Sequence, residues 1–490
     1  MSPKTPYTPP PASTIDILAY YAVTRPEHVA VLEDGVAYRY AQLYLDVCKS
    51  VTYLRSLNLG ENPKAAVEVK NLYMHLVLTL GLEALGICSM SFAANEAASI
   101  EPIVQDFDLV LCTAQDAPTQ SKNTVILDQA WATMLSEQSP EQPLIQTRFA
   151  PDAPYRIIKT SGTTGSLKTL TLTWDMQNRR LRQFQFLAGM NDATRYAVAL
   201  GFSIQAYHTH CTACLRAGGT CIADSRQPLA HVIQQHDASH VTLIPHALID
   251  ILDRLPAAYQ KPTNLRIFTI GAQVSASIRQ RVQDRLATSL IESYATNEAA
   301  YICTMQADGI GAILPGVDLE VVNDAEDPIY NQPGVIRMRS ETLIQGYRDD
   351  PATTKRMFKQ GWFYPGDLGI LNQSRILKLI GRADDQLNIR GIKVAPQPIE
   401  EAILNAFDFQ DVGLCMVPDA DKGDKVWLAI VTGGKDKMTE AEISAITPKL
   451  TPLLPSAFGA TQLVFLDRIP RTATGKIQRD VLRKALRDLS

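Results

Sequence analysis

The sequence predicts an α/β protein of more than one domain, and three observations carry that prediction. Short β-rich runs alternate with helix-periodic segments over most of the length, the pattern of parallel sheets flanked by helices. After about residue 310 the runs become strands joined by short polar turns, as in an antiparallel region. The chain has 490 residues, more than one ordinary hydrophobic core encloses. The full expectation is a large N-terminal domain, 1–383, of parallel-rich α/β subdomains plus a small β-rich subdomain. A small mobile α+β domain, 384–490, follows it.

The elements are read in chain order from apolar periodicity. Strands are expected at 66–69, 108–112, 124–127, 155–159, 196–199, 240–244, 265–270 and 290–294. Helical spacing of apolar positions marks 41–57, 71–85, 174–188, 228–236 and 275–286. The longest apolar stretch, 72–92, contains His75, Gly81, Glu83 and Gly86. A charge at mid-span is costly in lipid, so this stretch reads as a buried helix running into a strand. Strands at 317–322, 334–339 and 376–380 form the antiparallel region. The segment 381–391, crowded with charge and glycine, reads as an exposed joint. Beyond it, 398–406, 412–417, 426–431, a helix-like 439–450 and 461–466 make the small α+β unit.

Composition narrows the function classes. Hydrophobic residues are 46%, charged residues 20%, and the formal net charge is −4. Nucleic-acid and anionic-membrane partners favour basic surfaces, so neither is expected. The eight cysteines, at 48, 88, 112, 211, 214, 221, 303 and 415, are too sparse for a secreted disulfide framework. The first thirteen residues carry prolines where a signal peptide has an apolar run, so a cytoplasmic enzyme with a short disordered tail is expected.

The most informative loop follows the 155–159 strand: Thr160, Ser161, Gly162, Thr163, Thr164, Gly165, Ser166, Leu167 and Lys168. Two glycines let the backbone fold tightly and aim N–H groups inward. Five hydroxyls add donors suited to phosphate oxygens, and Lys168 adds a point charge for the same task. The Walker pattern needs Gly-Lys adjacent, and Lys168 stands three residues after Gly165, so this is a different kind of phosphate loop. Taken alone, the segment also reads as a flexible Ser/Gly/Thr surface loop.

Further motifs follow in order: Gly271-Ala272 after a strand, Tyr294-Ala295-Thr296-Asn297-Glu298, Tyr364-Pro365-Gly366-Asp367-Leu368-Gly369, Gly381-Arg382-Ala383-Asp384 through Arg390-Gly391, and Pro470 to Gly475-Lys476. With the hydroxyl-rich loop, this series resembles the adenylate-forming superfamily: acyl- and aryl-CoA synthetases, peptide-synthetase adenylation domains and luciferases. The resemblance covers nearly the whole chain. It implies an ATP-dependent acid–thiol ligase that makes an acyl-adenylate and then a thioester, with ATP, Mg²⁺ and coenzyme A, or a carrier protein's phosphopantetheine, as cofactors.

Residue by residue, the resemblance assigns roles. Thr160 to Gly165 and Lys168 hold the β- and γ-phosphates. Glu298 binds Mg²⁺, a hard ion that prefers carboxylate oxygen. Tyr294 stacks on adenine beside the Gly271-Ala272 turn, and Asn297 donates to phosphate. Asp367 accepts from the ribose hydroxyls, which two carboxylate oxygens can do. Arg382 approaches ribose or phosphate. Lys476 offsets charge between the acid and the α-phosphate. A C-terminal domain rotating about Asp384 exchanges Lys476 for the Gly391 loop, which leaves room for a pantetheine arm. Each residue also has a plain structural role: Glu298 opening a helix, Asp367 in a turn, Lys476 solvated, Arg382 and Asp384 a surface ion pair.

The sequence departs from the family pattern in places. Leu167 and Thr169 stand where Pro and Gly are usual, Ala295 and Asn297 where Gly and Thr are usual, and Asn388 where many relatives carry lysine.

The acid pocket is expected at 202–210, 270–273 and 294–296, with Phe202, Ser203, Gln205, Tyr207, Ile270, Ala295 and Thr296 as its walls. Amino-acid-activating relatives carry Phe-Asp where this chain has Phe202-Ser203. A buried ammonium without that carboxylate is costly, so the acid is expected to lack an α-amino group. Ser203 or Gln205 as hydrogen-bonding groups favour an aryl or small functionalised acid. His208, His210, Cys211 and Cys214 invite a zinc reading. Structural zinc sites space their ligand pairs more widely, and the segment reads as one helix, so packing is preferred.

No carrier-protein domain follows the lysine motif in the 14 residues after Lys476, so a stand-alone CoA synthetase is the leading expectation. A ligase loading a separate carrier protein is the nearest alternative. A luciferase-type oxidoreductase and a nucleotide binder without turnover are the others.

Overall fold

The computed structural model describes residues 13–113, 118, 123–141, 150–161, 167–271, 273–306, 309–389, 392–417, 425–432, 438–455, 458, 461–472 and 477–488. Two large sheets carry the N-terminal part. The first runs, from one edge, through Val36–Arg39, Val29–Glu33, Thr220–Ala223, Arg195–Ala197, His240–Leu243, Arg266–Thr269 and Ser289–Thr296. From Val29–Glu33 to Ser289–Thr296 every pairing is parallel. The sheet then continues without a break into antiparallel strands: Ala300–Met305, Ile310–Ile313, Ile376–Arg382, Asp367–Leu371 and Pro333–Ser340. The parallel and antiparallel regions expected as separate subdomains therefore share one 15-stranded sheet. The change of direction falls at the hairpin after Ser289–Thr296.

The second sheet has six strands in the order Thr124–Ile126, Leu109–Cys112, Lys64–Val67, Cys88–Ser91, Pro154–Ser161 and Leu167–Thr173. All but the last pair are parallel. Between the sheets lies the helix Leu72–Ala84, buried over nearly its whole circumference, which is why its sequence is apolar all round. Glu33 accepts from the backbone N–H groups of Leu72 and Tyr73 (2.5 and 2.9 Å), satisfying two donors that a helix start leaves open. Cys88–Ser91 follows, as the reading of 72–92 requires.

The helix Trp174–Ala188 has the predicted limits. Thr173 caps Met176 N, and Gly189 ends it at φ 64°, the left-handed geometry glycine adopts freely. The predicted helix 275–286 is instead α-helical only over Ala276–Arg281. A π-helical turn, Val282–Leu286, follows and buries Val282 and Leu286. Among the elements not read from the sequence are the helix Thr14–Thr24, the hairpin Val29–Glu33/Val36–Arg39, the strands Leu167–Thr173 and Thr220–Ala223, and the helix Pro245–Asp253.

In the C-terminal part, Asp411–Val417 and Lys425–Val431 pair antiparallel, and Gln462–Phe465 joins parallel. One face of this sheet packs Ile399, Ile403 and Leu450; the other packs Leu482 and Leu486 of the helix Arg479–Arg487. Among the described residues no helix is long and apolar enough to cross a membrane.

Candidate active site

The two strands flanking the hydroxyl-rich loop form a hairpin. Thr160 pairs with Lys168 and Ser161 with Leu167 in antiparallel register. Lys168 thus lies on a strand and not in the loop; the alternating Thr and Leu of 169–173 favour an extended chain with one face buried. Gly162, Thr163, Thr164 and Gly165 lie outside the described residues. Below the loop, Lys159 is paired with Glu96 at 2.5 Å, its side chain nearly buried. Burial lowers the Lys159 pKa, and Glu96 opposes that shift.

The opposite wall is the hairpin tip 297–299 between Ser289–Thr296 and Ala300–Met305. Glu298 opens no helix there; it sits at the tip. Its Oε1 accepts from the Tyr347 hydroxyl at 2.7 Å. Lys168 Nζ lies 5.5 Å from the centre of the Tyr347 ring, within cation–π range. Tyr347 thereby joins the lysine of one sheet to the carboxylate of the other. Two backbone bonds put it there: Arg348 N donates to Thr169 O (2.8 Å), and Ile344 N donates to Glu298 O (3.0 Å). Burial, then the Glu298 charge, raises the Tyr347 pKa, so the phenol stays a donor. Behind the tip, Arg180 donates to the carbonyls of Asn297 (2.9 Å), Glu298 (2.8 Å) and Thr342 (2.8 Å).

A third corner gathers Tyr294, Asp367, Arg382 and Asp384. The Tyr294 hydroxyl donates to Asp367 Oδ2 at 2.5 Å. Arg382 Nη1 donates to Asp367 Oδ1 (3.2 Å) and to Pro365 O (2.7 Å). Arg382 also grips Asp384 with two bonds, 2.9 and 2.8 Å. Burial works against the guanidinium charge, but Asp384, Asp367 and Asp385 outweigh it and raise the Arg382 pKa. Tyr294 is held well above its usual pKa by burial and by the Asp367 charge. Gly366, at φ 81°, brings the backbone close to Arg382; a Cβ there would sit 3.1 Å from Nη2. Each Asp367 oxygen accepts one bond here and has a further lone pair for a ligand. Gly271 turns at φ 96° after Arg266–Thr269; Ala272 lies outside the described residues.

Of the expected acid-pocket residues, Phe202, Ser203, Ile270, Ala295 and Thr296 are partly exposed. Phe202 packs on Tyr207 and His75, with ring centres 4.6 and 5.0 Å apart. Gln205 and Tyr207 are placed differently. The Gln205 amide accepts from Arg156 Nε (3.1 Å) and donates toward Gln177 and Thr209. Tyr207 is fully buried with its hydroxyl on His75 Nδ1 (3.1 Å). Both lie within the helix Gln205–Arg216, whose buried face turns them inward. Thr296 uses its hydroxyl to accept from Ala299 N (3.0 Å).

The histidines of this helix are engaged by neighbouring side chains. His210 contacts the hydroxyls of Tyr301, Thr242 and Tyr196, and His208 contacts that of Tyr155 at 2.9 Å. Cys211, Cys214 and Cys221 are buried free thiols.

Arg390, Gly391 and Lys476 lie outside the described residues. Arg180 and Tyr347 escaped the sequence reading: neither sits in a recognisable motif. The one available signal was the placement of Arg180 on the apolar face of its helix.

The donor set matches a triphosphate nucleotide with a hard divalent cation. A carboxylate, Glu298, has one oxygen that takes no hydrogen bond among the described residues. A lysine faces it across Tyr347, and the largely buried Asp367 has spare acceptor capacity beside an aromatic ring.

A family model described as AMP-binding enzyme matches residues 18–348. Oxalate–CoA ligase of Arabidopsis thaliana is 26% identical over 263 residues, 51% of this chain and 50% of that protein. Gramicidin S synthase 2 of Aneurinibacillus migulanus is 24% identical over 486 residues, 93% of this chain and 11% of that protein. The chain thus spans about half the length of the first of these relatives and a smaller share of the second. An anthranilate CoA ligase, AuaEII, solved with anthranoyl-AMP, superposes with a TM-score of 0.86 at 16% identity, over 99% of each chain. That likeness establishes a shared fold.

Proposed function

The chain belongs to the AMP-binding enzyme family, and on that premise we propose that it is an acid–thiol ligase of the acyl- or aryl-CoA synthetase kind. One observation carries the proposal: Lys168, Tyr347 and Glu298 bridge the two sheets beside the Tyr294–Asp367–Arg382 corner. A carboxylate is a poor acyl donor. Its oxygen attacks the α-phosphorus of ATP, the bond to the β-phosphate breaks, and pyrophosphate leaves. The thiol sulfur of coenzyme A then attacks the acyl carbon, loses its proton, and expels AMP.

Both reactants of the first step are anionic, so cations and aimed donors must offset their repulsion. Lys168 and the loop hydroxyls take the β- and γ-phosphates, and Glu298 takes Mg²⁺. The cation, when bound, neutralises charge on the phosphates. Tyr294 and the Gly271 turn hold adenine, and Asp367 holds the ribose. Lys476 serves the α-phosphate. Residues 384–490 act as a lid turning about Asp384. The separate apolar clusters of that part support a lid.

The acid lacks an α-ammonium group. Ser203, Ile270, Ala295 and Thr296 bring no charge to it, and Phe202 offers an aromatic wall, which favours an aryl acid. Transfer to a carrier protein's phosphopantetheine is the second reading, favoured by the match to a peptide synthetase across nearly the whole chain. A cytoplasmic location accords with eight cysteines kept as buried thiols, since a reducing compartment keeps thiols reduced.

The test is pyrophosphate release over a panel of acids, with and without coenzyme A. Acyl-CoA seen by mass spectrometry supports the first reading. Adenylate without any CoA product supports the second. Lys476→Ala should cripple adenylation and spare thioester formation from supplied adenylate. Equal loss in both halves sinks the rotating lid.

A further inference from the structure

Arg180 is 3% exposed and forms no ion pair among the described residues. Its guanidinium goes to three backbone carbonyls, those of Asn297, Glu298 and Thr342. Burial pushes its pKa down to about 10, opposed by the Glu298 charge. A buried cation that spends its donors on neutral carbonyls carries a desolvation cost. What it holds in return is the tip that bears Glu298.

That tip is irregular. The register slips between Tyr294 and Ala295, and Ala300 sits at φ 61°, a conformation unfavourable for any residue with a Cβ. Such geometry persists where its surroundings over-determine it. Here the surroundings are side chains of distant elements. Thr342 Oγ1 donates to Ala299 O (2.7 Å) and Gln183 Nε2 to Tyr301 O (2.9 Å). Arg180 supplies the largest share, binding two successive tip carbonyls and the Thr342 carbonyl behind them. It therefore fixes the direction in which the Glu298 carboxylate leaves the backbone.

We propose that Arg180 is a positioning residue for the divalent cation: it pre-sets the 297–299 tip so that Glu298 meets a metal-bound triphosphate without reorganisation. This rests on the reading of Glu298 as the metal ligand.

The test uses Mn²⁺ in place of Mg²⁺ and follows free Mn²⁺ by electron paramagnetic resonance as the enzyme binds Mn–ATP. Metal-free ATP binding is measured by calorimetry. Wild type is compared with E298Q, R180M and R180K. R180M should weaken Mn–ATP roughly 10–100-fold and R180K about tenfold, the range for residues that orient a metal ligand. Metal-free ATP affinity should fall by much less than Mn–ATP affinity, because Glu298 on the tip serves the cation. If E298Q weakens Mn–ATP and both Arg180 variants bind it like wild type, the proposal fails and the Glu298 reading stands. If E298Q binds Mn–ATP like wild type, the Glu298 reading fails and takes the proposal with it. Parallel loss of metal-free ATP in the Arg180 variants marks general damage and also overturns it. Should R180M not fold, R180K decides, since it keeps the charge and loses the three-way grip.

Discussion

Replacing Tyr294 with phenylalanine separates the two jobs of that side chain. In the proposed site the ring remains to stack on adenine, while the hydroxyl that donates to Asp367 Oδ2 at 2.5 Å is lost. The Asp367 side chain is 14% exposed, so water replaces the lost donor only in part. A hydrogen bond to a charged group is worth about 1.5–3 kcal/mol. Arg382 still holds Oδ1, which places the expected loss at the low end of that range. About 1.5 kcal/mol is roughly a tenfold change in an equilibrium constant. Tyr294→Phe should therefore raise the KM for ATP about tenfold. The KM for the acid should stay within a factor of about two, because the perturbation lies at the proposed ribose corner. Initial-rate pyrophosphate release, varying each substrate in turn, reads both. An unchanged KM for ATP with a raised KM for the acid would refute the assignment of Asp367 to the ribose and of Tyr294 to its support.

Two further outcomes follow from the same structure. Gly366→Ala puts a Cβ 3.1 Å from Arg382 Nη2 at a backbone angle of φ 81°; it should lower stability by about 1–2 kcal/mol in urea melts and weaken ATP binding, and a variant with wild-type values for both would contradict the close approach. Burial lowers His75 and His210 to about 3 and depresses His208 as well. The unfolded chain protonates these groups near pH 6.5, so it binds more protons than the folded chain between pH 6.5 and about 3. Their contribution is full above pH 6.5 and is lost as the pH falls through that window. Denaturant unfolding should show stability dropping by up to about 1.4 kcal/mol per pH unit for each such histidine. A profile flat from pH 7 to 5 would show that they are not buried neutral.

Much of the fold is legible in the sequence because periodicity is local. The limits of Trp174–Ala188 follow from spacing, a threonine cap and a terminal glycine. The 72–92 stretch is read as a buried helix and strand because it is long and apolar yet carries Glu83, a charge that lipid would not accept. Where a strand adjoins a loop directly, the reading stops: Leu167–Thr173 looks like the end of a loop until Pro154–Ser161 pairs with it. The π-helical turn Val282–Leu286 has the same residues as a helix and differs only in what the core accepts.

The sequence by itself determined the order and identity of the proposed binding groups: a hydroxyl-rich loop with Lys168 just beyond it, then Glu298, Asp367 and Arg382, then Lys476. Each of these residue types also serves plain structural roles, so it is their order along the chain, resembling the adenylate-forming superfamily, that marks them. Only the tertiary structure decided how these groups are held. Arg180 reaches carbonyls 117, 118 and 162 positions away, Tyr347 joins Lys168 to Glu298, and Tyr294 meets Asp367 across 73 positions. Gln205 and Tyr207, read as pocket walls, turn into the interior because the helix carrying them is buried on that face. Backbone carbonyls are the same at every residue, so the sequence does not show which carbonyls a side chain such as Arg180 will meet.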